Sequence, residues 1–233
     1  MAEYAHPETL VSTEWVANHI DDDQVVFAEV DVDTYSFDEG HIPGAIGWDW
    51  STQLCDTQQR DILSQEAFES LMQDAGIAED TTVVLYGDNN NWFAAWAFWQ
   101  MKIYGHKDVR LMDGGRRKWL AEGRDLTLDD ATPQKTTYTA QVADDSLRGR
   151  LIDVMGNVKQ KNIFLVDVRS PAEFTGEILA PPGLPETCQR GGHVPLAANI
   201  PWGQVCKEDG TFKSYDDLKA LYAAQGVTND KPV

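Results

Sequence analysis

Two hydrophobic periods alternate along the first half of the chain. Residues 25–30, 81–86 and 109–112 are short, largely apolar runs rich in β-branched side chains. Such runs are typical of buried strands in a parallel sheet. Between them, residues 64–75 repeat apolar positions at helical spacing, and residues 92–104 are apolar nearly all round. Strands that alternate with helices predict an α/β fold whose parallel sheet is covered by helices on both faces.

The helix predicted over residues 64–75 carries its own boundary signals. Ser64 stands at the N-cap position, and Gly76 follows the last periodic residue. Phe68, Leu71 and Met72 fall on one face at spacings of three and four residues. This pattern predicts an amphipathic helix that begins at Ser64, ends before Gly76 and packs through these three side chains.

The second half of the chain repeats the first. His193-Val194-Pro195 restates His41-Ile42-Pro43 at an offset of 152 residues. Residues 214–233 align with residues 64–83 without a gap, at an offset of 150. The run Ile163–Arg169 likewise restates the first strand and its acidic end, so we expect Asp31 and Asp167 at matching strand ends. Two copies of one α/β unit are therefore predicted.

The repeat sets the expected domain boundaries. The first domain covers residues 1–124, a polar and aperiodic linker covers 125–150, and the second domain covers 151–233. The second copy stops inside the counterpart of the strand at 81–86. The loop that follows this strand in the first copy begins at Gly87, so its counterpart is expected near position 237. We therefore expect the natural protein to contain a remaining C-terminal segment that completes the second domain.

Composition narrows the classes of function. The 233 residues include 38 Asp and Glu against 19 Lys and Arg, a formal charge of −19 at pH 7. Such a chain repels phosphate backbones and anionic lipids, so neither nucleic acid nor membrane is an expected partner. The sequence contains no apolar run of membrane-spanning length and no secretory signal. The three cysteines, Cys55, Cys188 and Cys206, form neither a disulfide framework nor a zinc pattern, which favours a cytoplasmic protein.

Several short motifs, in this order and in two copies, resemble the tandem-domain sulfurtransferases, rhodanese (thiosulfate sulfurtransferase) and 3-mercaptopyruvate sulfurtransferase. The matching segments are Gly40–Ala45, Tyr86–Trp92, Asp113-Gly114-Gly115-Arg116, Asp167-Val168-Arg169 and Gly192-His193-Val194-Pro195. The resemblance implies two tandem rhodanese-like α/β domains, the second of them incomplete in this chain. It also implies a non-catalytic first domain.

The resemblance implies covalent sulfur transfer in the second domain. A cysteine thiolate that opens the catalytic loop takes a sulfane sulfur from a small-molecule donor and passes it to cyanide or another thiophilic acceptor. No metal and no organic cofactor are implied. Backbone N–H groups at a helix N-terminus would favour the thiolate and hold the persulfide. Gly87 stands where the family places this cysteine, so the first domain offers no nucleophile, and the catalytic cysteine is expected just beyond Val233.

Five residues match family positions at the active-site cleft. Asp167 and Arg169 border the cleft, where a structural ion pair and a direct catalytic role are equally open. Glu173 stands where vertebrate thiosulfate enzymes place a substrate-binding arginine, and we favour an anchoring role for this carboxylate. Asp31 and His41 match positions that mercaptopyruvate enzymes use for proton handling. Because the His-x-Pro motif recurs in both copies and only one is catalytic, we favour a structural role for its histidine.

The remaining candidates have plainer interpretations. Arg116 and Arg117 are expected on the surface at the start of a helix. None of the three cysteines opens a strand-to-helix loop, so none is expected to be the nucleophile.

Three functions stay open. The leading one is a thiosulfate sulfurtransferase. The second is a 3-mercaptopyruvate sulfurtransferase, whose catalytic loop would be small and would carry a proton relay instead of basic residues. The third is a rhodanese-like binding module without catalytic activity. The residues that distinguish the three lie in the catalytic loop.

Overall fold

The computed structural model describes residues 4–58, 61–181 and 189–233. The chain divides into two compact units. The N-terminal unit comprises Ala5–Arg148 and Glu208–Thr211. The C-terminal unit comprises Tyr4, Gly149–Lys207 and Phe212–Val233. Each unit has its own parallel sheet, and residues 25–30 do not share a sheet with residues 163–168.

The N-terminal unit is built on a five-stranded parallel sheet in the order β1-β5-β4-β2-β3. The strands are β1 (Leu10–Val11), β2 (Val25–Asp31), β3 (Ile46–Asp49), β4 (Thr82–Tyr86) and β5 (Val109–Met112). The central strands β2 and β4 are buried on both faces, which explains why their sequences are continuously apolar instead of alternating. Ala28, Val83 and Leu85 join one core cluster, while Phe27 and Val84 join the other.

Helices cover both faces of this sheet. They are α1 (Thr13–Ala17), α2 (Tyr35–Asp38), α3 (Trp50–Gln53), α4 (Gln65–Asp74), α5 (Trp92–Ile103) and α6 (Gly115–Ala121), with short 3-10 turns at Pro7–Thr9, Asn89–Asn91 and Asp145–Leu147. Helices α4 and α5 supply the core of one face through Phe68, Met72 and Met101. Val16 of α1 and Trp119 of α6 supply the core of the other face. The sequence prediction of an α/β fold is therefore confirmed.

Helix α4 follows its sequence signals. The Ser64 hydroxyl accepts a hydrogen bond from the Ala67 N–H, which satisfies one of the donors left open at a helix N-terminus. Phe68 and Met72 are completely buried. Gly76 ends the helix in the left-handed region at φ +72°, where a side chain would be strained.

The segment predicted as a linker belongs largely to the N-terminal unit. Residues 125–148 have little regular structure, yet Tyr138 and Ala140 are buried in its core. The Tyr138 hydroxyl lies 3.0 Å from Nδ1 of the buried His106, and the Ala140 N–H donates to Glu69 at 3.0 Å. Side-chain hydrogen bonds and two buried residues thus hold a segment that lacks a hydrophobic period.

The C-terminal unit contains a shorter version of the same arrangement. Strands β6 (Leu165–Asp167) and β7 (Ala197–Asn199) pair in parallel, and the helices are α7 (Leu151–Gln160), α8 (Pro171–Thr175) and α9 (Tyr215–Ala224), with a 3-10 turn at Trp202–Val205. Among the described residues, no helix combines the length and apolar character that crossing a membrane requires.

The strand register corrects the expected match between Asp31 and Asp167. Asp167 pairs with Asn199. At the offset of 152 that relates the two His-x-Pro motifs, Asn199 corresponds to Gly47, whose partner in β2 is Glu29. Glu29 is therefore the counterpart of Asp167, and the counterpart of Asp31 lies two residues further on, at Arg169. The prediction was wrong because two acidic residues alternate at the end of β2 and only the pairing distinguishes them.

Candidate functional site

The loop that joins β4 to α5 uses its backbone donors internally. The Gly87 N–H donates to Asn91 Oδ1 at 3.0 Å, and the Asp88 N–H donates to Asp31 Oδ1 at 2.9 Å. The Asn91 N–H donates to the Asp88 carbonyl at 2.8 Å. Asn89–Asn91 all have positive φ, which asparagine tolerates better than most residues. These three N–H groups are therefore not available to an external anion.

Gly87, at the position of the expected cysteine, has no space for a side chain. A Cβ atom built on Gly87 would lie 2.5 Å from the Val30 carbonyl oxygen and 2.8 Å from Asp31 Oδ1. The end of β2 thus fills the volume that a nucleophilic side chain would need. The Gly87 carbonyl also accepts the Arg116 N–H at 3.0 Å, which fixes the loop to the start of α6.

Arg116 is buried, so the prediction that it lies on the surface was wrong. Its guanidinium donates to both carboxylate oxygens of Glu29 at 2.8 and 3.0 Å. It also donates to the carbonyls of Ser36 and Gly40 at 2.7 and 2.6 Å. Burial raises the pKa of Glu29 above its ordinary value, and the charge of Arg116 opposes that rise. Arg117, by contrast, is exposed as predicted.

Both histidines of the repeated motif make the same contacts in their own units. His41 stacks on Phe37 with ring centroids 3.8 Å apart, and its Nδ1 lies 3.0 Å from the Phe37 carbonyl. His193 stacks on Phe174 at 3.6 Å, and its Nδ1 lies 2.8 Å from the Phe174 carbonyl. In addition, Nε2 of His41 lies 3.3 Å from the Asp129 carbonyl. These contacts are those of a residue that ties down a turn.

Asp167 and Arg169 lie together at the end of β6. The Arg169 side chain donates to both carboxylate oxygens of Asp167, with a shortest distance of 2.6 Å, and to the Gly192 carbonyl at 2.8 Å. Partial burial would raise the pKa of Asp167, but the hydrogen bonds and charge of Arg169 outweigh it and hold that pKa below its ordinary value. Asn199 Nδ2 donates to both backbone carbonyls of this pair, so β7 helps to fix the strand end.

Glu173 forms hydrogen bonds with Ser170 at the start of α8. Its carboxylate accepts from the Ser170 N–H and hydroxyl, while its own N–H donates to the Ser170 oxygen. This reciprocal pair is a capping box at the start of α8. Glu173 is buried, and its carboxylate contacts the terminus of α8.

A groove of about 640 Å³ opens beside the end of β6. Its lining includes Asp167 and Arg169 together with Arg190 and His193. Arg190 was not among the predicted site residues. The available signal was a basic residue directly before Gly191-Gly192-His193, and the structure places Arg190 in the lining of the same groove as Arg169.

Cys55 and Cys206 occupy equivalent places in the two units. Cys55 forms an isolated antiparallel bridge with Ile62, and Cys206 forms one with Phe212. Each bridge lies between the His-x-Pro turn and the helix that follows, α4 or α9. Neither cysteine lies in a strand-to-helix loop comparable with residues 87–91. Cys188 lies outside the described residues.

The predicted site residues therefore fall into two groups. Asp31 and His41 are buried in the N-terminal unit, where Asp31 contacts the loop and His41 contacts backbone carbonyls. Asp167 and Arg169 form one ion pair in the C-terminal unit, and Glu173 caps a helix nearby in sequence. No group of three or more His, Cys, Asp or Glu side chains in the described part of the chain is arranged to hold a metal ion.

Comparison with known proteins gives the family that the sequence motifs resemble. The Rhodanese-like domain family matches residues 12–122. A Saccharopolyspora erythraea protein named as a thiosulfate sulfurtransferase is 52% identical over 225 residues, which cover 96% of this chain and 79% of that protein. The sulfur carrier protein TtuD of Thermus thermophilus is 50% identical over 234 residues, covering 99% of this chain and 82% of that protein. The chain belongs to the rhodanese family.

Solved structures agree with the fold. SseA of Escherichia coli, described as a 3-mercaptopyruvate sulfotransferase, superposes with a TM-score of 0.84 at 25% identity, covering 96% of this chain and 86% of that one. The wild-type structure of EanB superposes with a TM-score of 0.83 at 23% identity, covering 99% of this chain and 60% of that one. The rhodanese fold predicted from the sequence motifs is confirmed.

Proposed function

We propose that the protein is a thiosulfate sulfurtransferase whose two tandem rhodanese-like domains have unequal roles. The observation that carries this proposal is the likeness to relatives named as thiosulfate sulfurtransferases, and the closed N-terminal loop supports the unequal roles. The N-terminal loop is closed on itself and sterically excludes a side chain at Gly87. In the second domain, Arg169 at the end of β6 and Arg190 line one groove. Relatives that are about half identical to this chain are named as thiosulfate sulfurtransferases.

The nucleophile of this proposal is a cysteine at the counterpart of Gly87 in the second domain. Pro232 supports this register, because its carbonyl accepts the Phe164 N–H at 2.7 Å. At the offset of 150 residues Pro232 corresponds to Thr82, the first residue of β4, which pairs with β2. The counterpart of β4 would thus pair with β6, and the segment after it would supply the loop. We propose a first domain at 1–124 and a second at 151–233, with residues 125–148 of the connecting segment packed on the first unit.

Sulfur transfer from thiosulfate requires a site that stabilises negative charge, because both the thiolate and the donor are anions. The thiolate attacks the outer sulfur of thiosulfate, the sulfur–sulfur bond breaks, and sulfite leaves with the bonding electron pair. Cyanide or another thiophile then attacks the outer sulfur of the persulfide and regenerates the thiolate. Arg169 and Arg190 would attract the dianionic donor. Asp167 would hold the Arg169 guanidinium in place, and Glu173 would support the same loop by capping α8.

A second donor is 3-mercaptopyruvate, because SseA, with a TM-score of 0.84, is described as a sulfotransferase for it. For this donor Asp31 and His41 would belong to the proton-handling machinery. TtuD, which is 50% identical to this chain, is named as a sulfur carrier protein, so a sulfur-carrying role is an alternative. We propose a cytoplasmic location because three widely spaced cysteines do not form a disulfide framework.

Sulfur loading of the full-length protein tests the proposal. The protein is incubated with thiosulfate or with 3-mercaptopyruvate, and its cysteine peptides are weighed by mass spectrometry. One additional sulfur on a cysteine at the Gly87 counterpart, removed by cyanide, is the expected result, with thiosulfate the faster donor. The same gain on Cys55, Cys188 or Cys206 would move the site. No gain on any cysteine would favour a binding module.

Replacing Arg169 with alanine should lower kcat/KM for thiosulfate by about 10- to 100-fold, because a guanidinium that meets the anionic donor is lost. Arg169→Lys keeps the charge but loses the paired contact with Asp167, so we expect an intermediate loss. Arg117→Ala removes an exposed arginine of the N-terminal unit and serves as the matched control. Equal rates for Arg169→Ala and Arg117→Ala would remove Arg169 from the site.

A further inference from the structure

One carboxylate oxygen in the N-terminal unit is buried without a hydrogen-bond donor. Asp31 is 3% exposed at the end of β2. Its Oδ1 accepts the Asp88 N–H at 2.9 Å, while Oδ2 is buried and meets no donor. Leaving a charged oxygen without a donor is costly, because the hydrogen bonds of its hydration shell are lost on burial.

Within the described ranges, the groups around Asp31 offer no cation for this oxygen. Glu29, two residues earlier on the same face of β2, already holds the guanidinium of Arg116. The buried Tyr86 hydroxyl is within hydrogen-bond reach of Glu29 and accepts the Ile42 N–H at 3.3 Å. The ring nitrogens of His41 face the backbone carbonyls of Phe37 and Asp129, not Asp31.

Asp88 lies beside Asp31, because its N–H donates to Asp31 Oδ1 at 2.9 Å. Burial and then the Asp88 side chain raise the pKa of Asp31. Two carboxylate oxygens can form a hydrogen bond only if one of them carries a proton. Adjacent carboxyl groups in a buried site cannot both ionise without strong repulsion, so one of the two retains its proton. A retained proton would explain both why Asp31 Oδ2 lacks a donor and why an acidic residue, Asp88, lies beside it.

We propose that Asp31 and Asp88 share one proton at neutral pH, and that this acid–carboxylate pair locks residues 87–91 in the closed conformation. Asp31 thereby holds the loop through the Asp88 N–H and through the Asp88 side chain together. The inference concerns the N-terminal loop alone and does not depend on sulfur transfer in the other domain.

Loss of the shared proton should open the loop at alkaline pH. Burial is the main cause, followed by the side-chain hydrogen bond and charge of Asp88, and together they raise the pKa of Asp31 from 3.8 to about 9. The folded state thus keeps a proton that the unfolded state releases near pH 4. This sign means that stability falls as pH rises from about 4 to 9 and levels off above the folded pKa. Asp31→Asn should remove this part of the pH dependence, because an amide hydrogen replaces the shared proton.

Carboxyl titration of the full-length protein tests the pair directly. With ¹³Cγ-labelled aspartate, the signal that disappears in Asp31→Asn should titrate far above pH 6 in the wild-type protein. Between pH 6 and 9 the wild-type Tm should fall by about 5 °C or more relative to that of Asp31→Asn. Asp23→Asn, which changes an exposed residue, should keep the wild-type pH profile.

Two results would overturn the proposal. The first is a wild-type Asp31 signal that titrates near pH 4, with equal pH profiles for wild type and Asp31→Asn. The second is a change of that signal when EDTA removes divalent ions, which would place a cation where we place the proton. If Asp31→Asn does not fold, Asp88→Asn is the alternative variant, and it should lower the midpoint of the Asp31 titration by at least about one pH unit.

Discussion

Replacing Arg116 with methionine should destabilise the N-terminal unit by about 3–5 kcal/mol, the range measured when one partner of a buried ion pair is removed. The Arg116 and Glu29 side chains are 9% and 1% exposed, so water cannot replace the lost contact. The carbonyls of Ser36 and Gly40 would lose their guanidinium donor as well. Urea unfolding of the full-length protein, followed by tryptophan fluorescence, measures the change in the free energy of unfolding.

The pH dependence separates the lost charge from the lost packing. Without Arg116, the pKa of Glu29 should rise further, since burial already raises it and the opposing positive charge is removed. When the pKa of a carboxyl group is higher in the folded state than in the unfolded state, the free energy of unfolding falls as pH rises above the unfolded pKa. The destabilisation caused by Arg116→Met should therefore be larger at pH 8 than at pH 5.

The double variant Glu29→Gln/Arg116→Met should recover part of the loss, because no buried charge remains without a partner. Arg117→Met changes the neighbouring exposed arginine and should alter the free energy of unfolding by no more than about 0.5 kcal/mol. Equal effects of Arg116→Met and Arg117→Met would show that the guanidinium contacts with Glu29 contribute nothing to stability.

Hydrophobic period predicted the central strands β2, β4 and β5 and the helices α4 and α5, but not short elements such as β1, α1 and β3. The run at 81–86 became β4, and the helix predicted at 64–75 became α4, with Ser64 as its N-cap. In each case the local pattern and the tertiary packing favour the same structure. The repeated His-x-Pro motif predicted matching turns, and His41 and His193 indeed make the same contacts with Phe37 and Phe174.

The sequence predictions that proved wrong concern residues whose contacts lie far away in the sequence. Arg116 follows two glycines at a helix start, and nothing local shows that Glu29, 87 residues earlier, lies opposite its guanidinium. The match of Asp31 with Asp167 failed because a shift of two residues keeps the same face of the strand and the same acidic character. Tyr138 and Ala140 lie in an aperiodic segment, and their contacts with His106 and Glu69 join residues that no local pattern connects. The roles of Asp167, Arg169 and Glu173 in catalysis stay predictions.

Installing a cysteine at Gly87 should not create a second nucleophile, although Gly87 holds the corresponding loop position. A Cβ atom there would approach the Val30 carbonyl oxygen to 2.5 Å, so β2 or the loop must move. Overpacking against backbone costs about 1–3 kcal/mol or more, and we expect Gly87→Cys to destabilise the unit by at least that amount. The loop N–H groups that would have to stabilise a thiolate are already bonded to Asn91 and Asp31.

Gly149→Cys is the matched control, because a Cβ atom at Gly149 meets nothing within 4 Å. Unfolding measures stability in both variants, and mass spectrometry after incubation with thiosulfate measures sulfur uptake at the new cysteine. We expect Gly87→Cys to be the less stable variant and neither new cysteine to gain a sulfur that cyanide removes. Truncating Asp31 as well should not rescue Gly87→Cys, since the nearest obstacle is the backbone carbonyl of Val30. A stable Gly87→Cys variant that loads one sulfane sulfur would show that the N-terminal loop can open around a nucleophile, and that its sequence, not its geometry, makes this unit inactive.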